Sequence, residues 1–152
     1  MARLTLLFVL AAGLFFISAQ AEELPLKDVF SEAASFTAVK EGNDIVYYAA
    51  KDKDGKTIGA CFIATGKSYS DINTLVGMLN DGTITAIKVL SQNETPGIGS
   101  RVATPEFTDR FRRINDVSKV QAITGASVSS KAVIDAVKKR ADEIKILIRS
   151  EK

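Results

Sequence analysis

The 152-residue chain has no histidine, and Cys61 is its single cysteine. These shortages remove a large share of protein chemistry. No histidine-based serine or cysteine triad, no His/Cys zinc site, no Cys-x-x-Cys-His haem attachment and no internal disulfide can be built. Cys61 lies within Ile58-Gly59-Ala60-Cys61-Phe62-Ile63-Ala64, which reads as a buried strand, so its thiol is expected to be inert core. Without a disulfide the fold must be held by packing alone. An excess of one charge is also missing: 20 Lys+Arg stand against 18 Asp+Glu, with the signs interspersed. That balance gives no footprint for nucleic acid or for an anionic membrane surface. The densest basic run, Lys138-Lys139-Arg140, is expected on a solvated helix face.

What is present begins with a segment unlike the rest. Arg3 supplies a positive start, Leu4 to Ile17 is apolar apart from Thr5 and Gly13, and Ala19-Gln20-Ala21 ends the stretch with small residues. This is the layout of a secretory signal peptide over residues 1–21, followed by a single domain over 22–152. The alternative is an uncleaved membrane anchor, although the apolar part is shorter than the roughly 20 residues a spanning helix needs. Cleavage after Ala21 removes one basic residue and no acidic one, so the mature net charge is near +1.

Beyond it, Pro25 opens a short helix whose Leu26, Val29, Phe30, Ala33 and Ala34 share one face. Asp44 to Ala50 and Thr57 to Thr65 read as a hairpin around Asp54-Gly55, and Thr74 to Leu79 with Thr83 to Leu90 as a second around Asn80-Asp81-Gly82. The stretch Ser91 to Pro105 is dense in turn formers, Pro105 to Arg112 reads as a short helix, and Val117 to Ile123 as one further strand. From Ser127 onward Val133, Ala136, Val137, Ala141, Ile144, Leu147 and Ile148 keep the helical period. The order implies an α+β fold, a mainly antiparallel sheet from two hairpins plus a further strand, backed by helices, with a long C-terminal helix.

Three apparent motifs fail on spacing or context. Gly66-Lys67-Ser68 lacks the glycine of a phosphate-binding loop at position 61, and Ser127 to Lys131 misses the Ser-x-x-Lys spacing by one residue. Gly97-Ile98-Gly99 follows a polar loop instead of a strand, so by itself it indicates only a tight turn.

Ser127 is more informative. A serine at a helix start is commonly an N-cap with its hydroxyl turned back onto the backbone. Yet Thr124-Gly125-Ala126 leaves little bulk beside it, and a helix N-terminus suits a phosphate, which would need the same hydroxyl turned outward. Thr124-Gly125-Ala126-Ser127 resembles the Ser/Thr-Gly-Ala-Ser/Thr motif of FMN-binding domains, whose last hydroxyl is joined to FMN by a phosphoester bond. Glu94-Thr95-Pro96-Gly97-Ile98-Gly99 is similar to the Glu-Thr-Pro-Gly-Leu/Ile-Gly loop of the FMN-carrying subunits of Rnf-type and sodium-pumping NADH:quinone oxidoreductase complexes. Gly66 to Ser70, with Ile72 and Leu75-Val76-Gly77, resembles a third element of the same domain. Serine stands at 127 where threonine is usual, and Gln121 where the family commonly has aspartate.

The resemblance implies an exported electron carrier of the periplasm or of a membrane complex, more an electron-transfer protein than a stand-alone enzyme. It implies covalent FMN on Ser127, placed there by an FAD-dependent FMN transferase, and redox partner proteins that include a membrane oxidoreductase complex. Gly97 and Gly99 would let the backbone approach the flavin, Glu94 and Thr95 would bond its polar edge, and Tyr69 would cover the ring. A non-covalent FMN-binding or sensing module, with Ser127 as a plain cap, is the alternative.

Overall fold

The computed structural model describes residues 23–151, and the expected signal segment lies outside them. The elements run α1 (Leu26–Val29), β1 (Ser35–Glu41), β2 (Asp44–Lys51), β3 (Thr57–Lys67), β4 (Asp71–Leu79), β5 (Ile84–Ser91), α2 (Pro105–Thr108) and α3 (Ser127–Ser150), with short 3-10 turns between β5 and α3. The five strands form one antiparallel meander in the order β1-β2-β3-β4-β5. The α+β class, the antiparallel sheet and the long C-terminal helix agree with the sequence reading.

Two local expectations are corrected. Residues 117–123 are not a strand: Val117–Lys119 form a 3-10 turn, with the Asp116 carboxylate accepting from the Ser118 N–H, and the chain then runs irregularly to Gly125. The fifth strand is instead β1, whose mostly exposed residues carry no apolar alternation. It is fixed by its turn, in which Glu41 pairs with Asp44 across the two-residue link Gly42-Asn43 and Gly42 takes a positive φ of 61°. The first helix is also shorter than expected, a single turn that leaves Phe30 and Ala33 buried beyond its end.

The two sides of the sheet are covered differently. On one, α3 packs Val133, Val137, Ala141, Ile144 and Ile148 against Ala60, Phe62, Ala64, Ile72, Val76 and Met78. Each large apolar side chain so buried contributes about 1.5–3 kcal/mol. Close contact of α3 with β3 depends on Gly66, where a Cβ would lie 2.5 Å from the Ala132 carbonyl oxygen. On the other side α1 and its extension lay Val29, Phe30 and Ala33 over Ala50, Cys61, Leu75 and Ala86. Burial pushes the Cys61 thiol up to about 12, which keeps it protonated and inert.

The edge strand β5 is covered on both faces in its first half, where Ile84 to Ile87 are all buried, and emerges in its second. Double coverage accounts for its blurred alternation in sequence. Phe107 and Phe111, edge to face at 5.3 Å and 76°, belong to the same core as α3. They anchor the connection that carries the chain from β5 back to α3.

Candidate functional site

Three segments converge at one end of the sheet. The β3–β4 turn places Ser68, Tyr69 and Ser70 beyond the last strand pair, Lys67 with Asp71. The loop after β5 folds back on itself: the N–H groups of Ile98 and Ser100 both donate to the Thr95 carbonyl, and the Gly97 N–H donates to Ser100 Oγ. Gly97 takes a φ of +71° there, with open space where a Cβ would be. The third segment is the start of α3. Its lead-in is a turn closed by the Ala126 N–H on the Ile123 carbonyl, with Gly125 at φ +84°, a conformation that favours glycine.

At that start Ser127 is not the N-cap. Ala126 holds the cap position, Ser127 is the first helical residue, and no side chain caps the helix. The Ser127 side chain is exposed, whereas its neighbours turn inward: Ser129 is 3% exposed and Ser130 fully buried. Ser130 Oγ accepts from the Ile123 N–H at 3.1 Å, and Ser129 Oγ donates to Glu94 Oε2 at 2.6 Å. Three serines in one helical turn thus have three tasks, and only the first is left open to solvent. The amides of Ser127, Val128 and Ser129 have no intrahelical acceptor, the first helical bond being Ser130 N–H to the Ala126 carbonyl, and they carry the positive end of a 24-residue helix.

Between the segments lies an open groove of about 290 Å³, lined by Tyr69, Thr95, Ile98, Gly99, Gly125, Ala126, Ser127, Val128 and Ser129. Its size lies just below the usual range of ligand pockets, about 300–1,000 Å³. Tyr69, Ile98 and Val128 are 81%, 52% and 58% exposed, so three of the large apolar side chains that this fold leaves in water stand round one groove. Apolar walls, an open hydroxyl and an uncapped helix start fit a planar ring carrying a phosphate.

Of the residues picked from sequence, Tyr69, Thr95, Ile98, Gly99, Gly125, Ala126 and Ser127 line this groove; Glu94, Pro96, Gly97 and Thr124 do not. Glu94 requires a correction of role. Its side chain is buried, 4% exposed, and does not reach outward for a flavin edge. Oε1 accepts from the Ser70 N–H and Ser70 Oγ at 2.9 and 2.7 Å, and Oε2 from Ser68 Oγ and Ser129 Oγ at 3.0 and 2.6 Å. Burial alone would raise its pKa, but the bonds from Ser129, Ser70 and Ser68 outweigh that and hold the carboxyl below its ordinary range. Gly99 packs against the same group: a Cβ there would lie 2.5 Å from Ser129 Oγ and 2.8 Å from Glu94 Cβ.

Two arginines that sequence reasoning passed over hold the lead-in to α3. Arg110 donates to the Gln121 and Ala122 carbonyls at 2.7 and 3.1 Å, and Arg101 to the Thr124 carbonyl at 3.1 Å while paired with Glu106. Thr124 and Gln121 therefore act here through their backbone oxygens, whatever their side chains do. Backbone recognition leaves no residue-type signature, so neither contact was legible beforehand. The aromatic residues of β2 and β3 stay in the packing: Tyr47 and Phe62 are buried, and the Tyr47 hydroxyl donates to Glu151 at 2.7 Å. Among the described residues no cluster of His, Cys, Asp and Glu could hold a metal, and no helix is long and apolar enough to cross a membrane.

Comparison with known proteins converges on the same region. The family model described as FMN-binding domain matches residues 68–142, which contain all three converging segments. An ion-translocating oxidoreductase complex subunit from Methanosarcina acetivorans is 32% identical over 150 residues, covering 88% of this chain and 80% of the relative. A proton-translocating ferredoxin:NAD(+) oxidoreductase complex subunit from Clostridium ljungdahlii is 31% identical over 131 residues, covering 78% and 69%. The crystal structure of Shewanella oneidensis NqrC shares the fold with a TM-score of 0.54 at 20% identity, over 78% of this chain and 74% of that one. With groove, motifs and relatives in agreement, the chain belongs to the FMN-binding domain family, the family of the FMN-carrying subunits of ion-translocating oxidoreductase complexes.

Proposed function

We propose that the groove holds FMN joined through a phosphoester bond to Ser127 Oγ, and that the chain is an exported electron carrier working within a membrane ion-translocating oxidoreductase complex. The observation that carries this reading is the Ser127 hydroxyl, exposed and uncapped at the first position of α3 in a groove shared with Thr95, Ile98 and Gly99. The flavin supplies the one- and two-electron chemistry when bound. The chain's residues position it. The free amides and dipole at the start of α3 favour the phosphodiester charge by roughly 0.3–1 kcal/mol, and Tyr69, Ile98 and Val128 offer apolar surface for the ring. The groove opens to solvent, which leaves the ring within reach of partner proteins.

Attachment requires an FAD-dependent FMN transferase: the Ser127 hydroxyl gives up its proton to that enzyme, an O–P bond forms as the pyrophosphate of FAD breaks, and AMP leaves. The catalytic groups belong to the transferase, so the absence of histidine in this chain is no obstacle. Residues 1–21 would direct export to the periplasm, where a tethered cofactor is not lost by dilution. The names of the relatives support a place in a membrane redox complex, with redox partner proteins among its other subunits.

The test is intact mass after co-expression with the transferase. The mature chain should gain one FMN less a water and stay yellow after acid denaturation, and Ser127→Ala should lose both. Flavin that is released on denaturation would support non-covalent binding instead, and an unmodified, colourless chain beside an active transferase would remove the proposal.

A further inference from the structure

Glu94 is the one buried carboxylate beside the groove among the described residues, and its bonding has a pattern that the flavin reading does not use. Its two oxygens are filled by four donors, and these come from two segments remote in sequence: the β3–β4 turn through Ser68 and Ser70, and the first turn of α3 through Ser129. A carboxylate accepting four hydrogen bonds has no lone pair to spare. The neighbouring backbone extends the connection, because the Asn93 N–H donates to Ser70 Oγ at 3.0 Å and the Glu94 N–H to Gln92 Oε1 at 2.8 Å. Tyr69 lies between the two serines of the turn, and Ser127 lies two residues before Ser129. The residues flanked by these bonds, Tyr69 and Ser127, both line the groove.

We propose that Glu94 is a positioning residue, a single buried carboxylate that fastens the 68–70 turn and the start of α3 to the 94–99 loop and so sets Tyr69 and Ser127 in the groove lining before any flavin arrives. This role deepens the functional reading, since its value to the chain rests on a flavin being received at Ser127. Its physical basis is separate from that reading. Charge-assisted hydrogen bonds are individually the strong ones, and a buried donor left without its acceptor carries a desolvation cost as well. Three of the four bonds hold the 68–70 turn and the fourth holds the start of α3.

Two substitutions separate hydrogen bonding from bulk stability. In Glu94→Ala all four donors lose their acceptor. In Glu94→Gln the amide oxygen can take the place of Oε1, accepting from Ser70, while the amide NH₂ takes the place of Oε2 and donates to the hydroxyls of Ser68 and Ser129, which can reverse and accept. Glu94→Gln should therefore rescue the geometry that Glu94→Ala loses.

The experiment measures amide hydrogen exchange on the flavin-free mature chain. The Ser70 amide, a direct donor to Glu94, should be protected in the natural protein. In Glu94→Ala it should exchange roughly ten- to a hundredfold faster, the range of one lost charge-assisted bond, while core amides of β4 such as Leu75 and Val76 keep their protection; Glu94→Gln should restore it to within about tenfold. Should Glu94→Ala not fold, Ser129→Ala cuts only the link to α3 and should leave Ser70 protected while the 127–129 turn loosens. The same variants presented to limiting transferase should show modification of Ser127 falling at least about tenfold in Glu94→Ala and recovering in Glu94→Gln.

An unprotected Ser70 amide in the natural chain would overturn the proposal, as would a Glu94→Ala chain that exchanges like the natural one or one in which the whole sheet loosens in parallel. A chain with the expected exchange pattern that accepts no flavin supports the positioning role and removes the functional reading alone.

Discussion

Gly99→Ala puts the packing behind the groove to a quantitative test. Gly99 is buried, and its φ is not positive, so an alanine there suffers no backbone strain and is opposed by contact alone. The added Cβ would stand 2.5 Å from Ser129 Oγ, 2.8 Å from Glu94 Cβ and 3.1 Å from Glu94 Oε2. To make room Ser129 Oγ must rotate away, which breaks its 2.6 Å bond to Glu94. Loss of that charge-assisted bond costs about 1.5–3 kcal/mol, and pushing back Glu94 Cβ adds an overpacking cost of about 1–3 kcal/mol. The smaller entropy of an unfolded alanine returns about 0.4–1 kcal/mol. The net expectation is a destabilisation of about 1.5–5.5 kcal/mol, or a fall in melting temperature on the order of 10 °C for a domain of this size. Urea unfolding followed by far-UV circular dichroism measures it, with the slope m unchanged. Gly97→Ala is the control, because there the Cβ meets nothing within 4 Å and only the +71° φ is strained, at about 1–2 kcal/mol. A Gly99→Ala chain within about 0.5 kcal/mol of the natural one would refute the reasoning.

Other consequences are equally measurable. The Glu94 carboxyl titrates below its ordinary 4.5 in the folded chain. It thus contributes stability above that ordinary value, and the contribution is lost as pH falls through the lower folded pKa; Glu94→Gln should flatten the acid limb of a stability-against-pH curve, and an unchanged limb would contradict this. Phe107→Ala removes a fully buried ring from the edge-to-face pair with Phe111, for an expected loss of about 3–5 kcal/mol in denaturant unfolding. Arg110→Ala frees the Gln121 and Ala122 carbonyls, so the 121–126 backbone should gain mobility in relaxation measurements with the α3 core unaffected. Cys61, with a thiol raised to about 12 and no exposed surface, should resist thiol reagents at neutral pH until the chain unfolds.

Much of the fold was legible because local signals and tertiary demands agree. The Asp54-Gly55 and Asn80-Asp81-Gly82 turns bracket strands β2 to β5, and the 3.6-residue period of α3 matches its buried face. Strand β1 was missed because an exposed edge strand needs no apolar alternation, although Gly42-Asn43 carried the turn signal. The opposite error came at 117–123, where Val117, Val120 and Ile123 are buried as anchors of an irregular segment, and their three-residue spacing suits 3-10 geometry instead of a strand. At the site, the motifs located the segments, but they could not say which serine faces out. That depends on helical phase: Ser127 leads the helix, and Ser129 and Ser130 fall on the core side. Nor could they show that Glu94 turns inward, since the serines that receive it lie 24 to 35 residues away along the chain.

The most direct measurement is fragment-ion mapping of the tryptic peptide 120–131 from the chain matured with its transferase. That peptide holds four hydroxyls, on Thr124, Ser127, Ser129 and Ser130. Ser129 and Ser130 are buried, Ser129 bonded to Glu94 and Ser130 to the Ile123 N–H, and Thr124 lies outside the groove. Ser127 is expected to carry the whole of the flavin phosphate. An unmodified peptide, or flavin on any of the other three, would contradict the central claim.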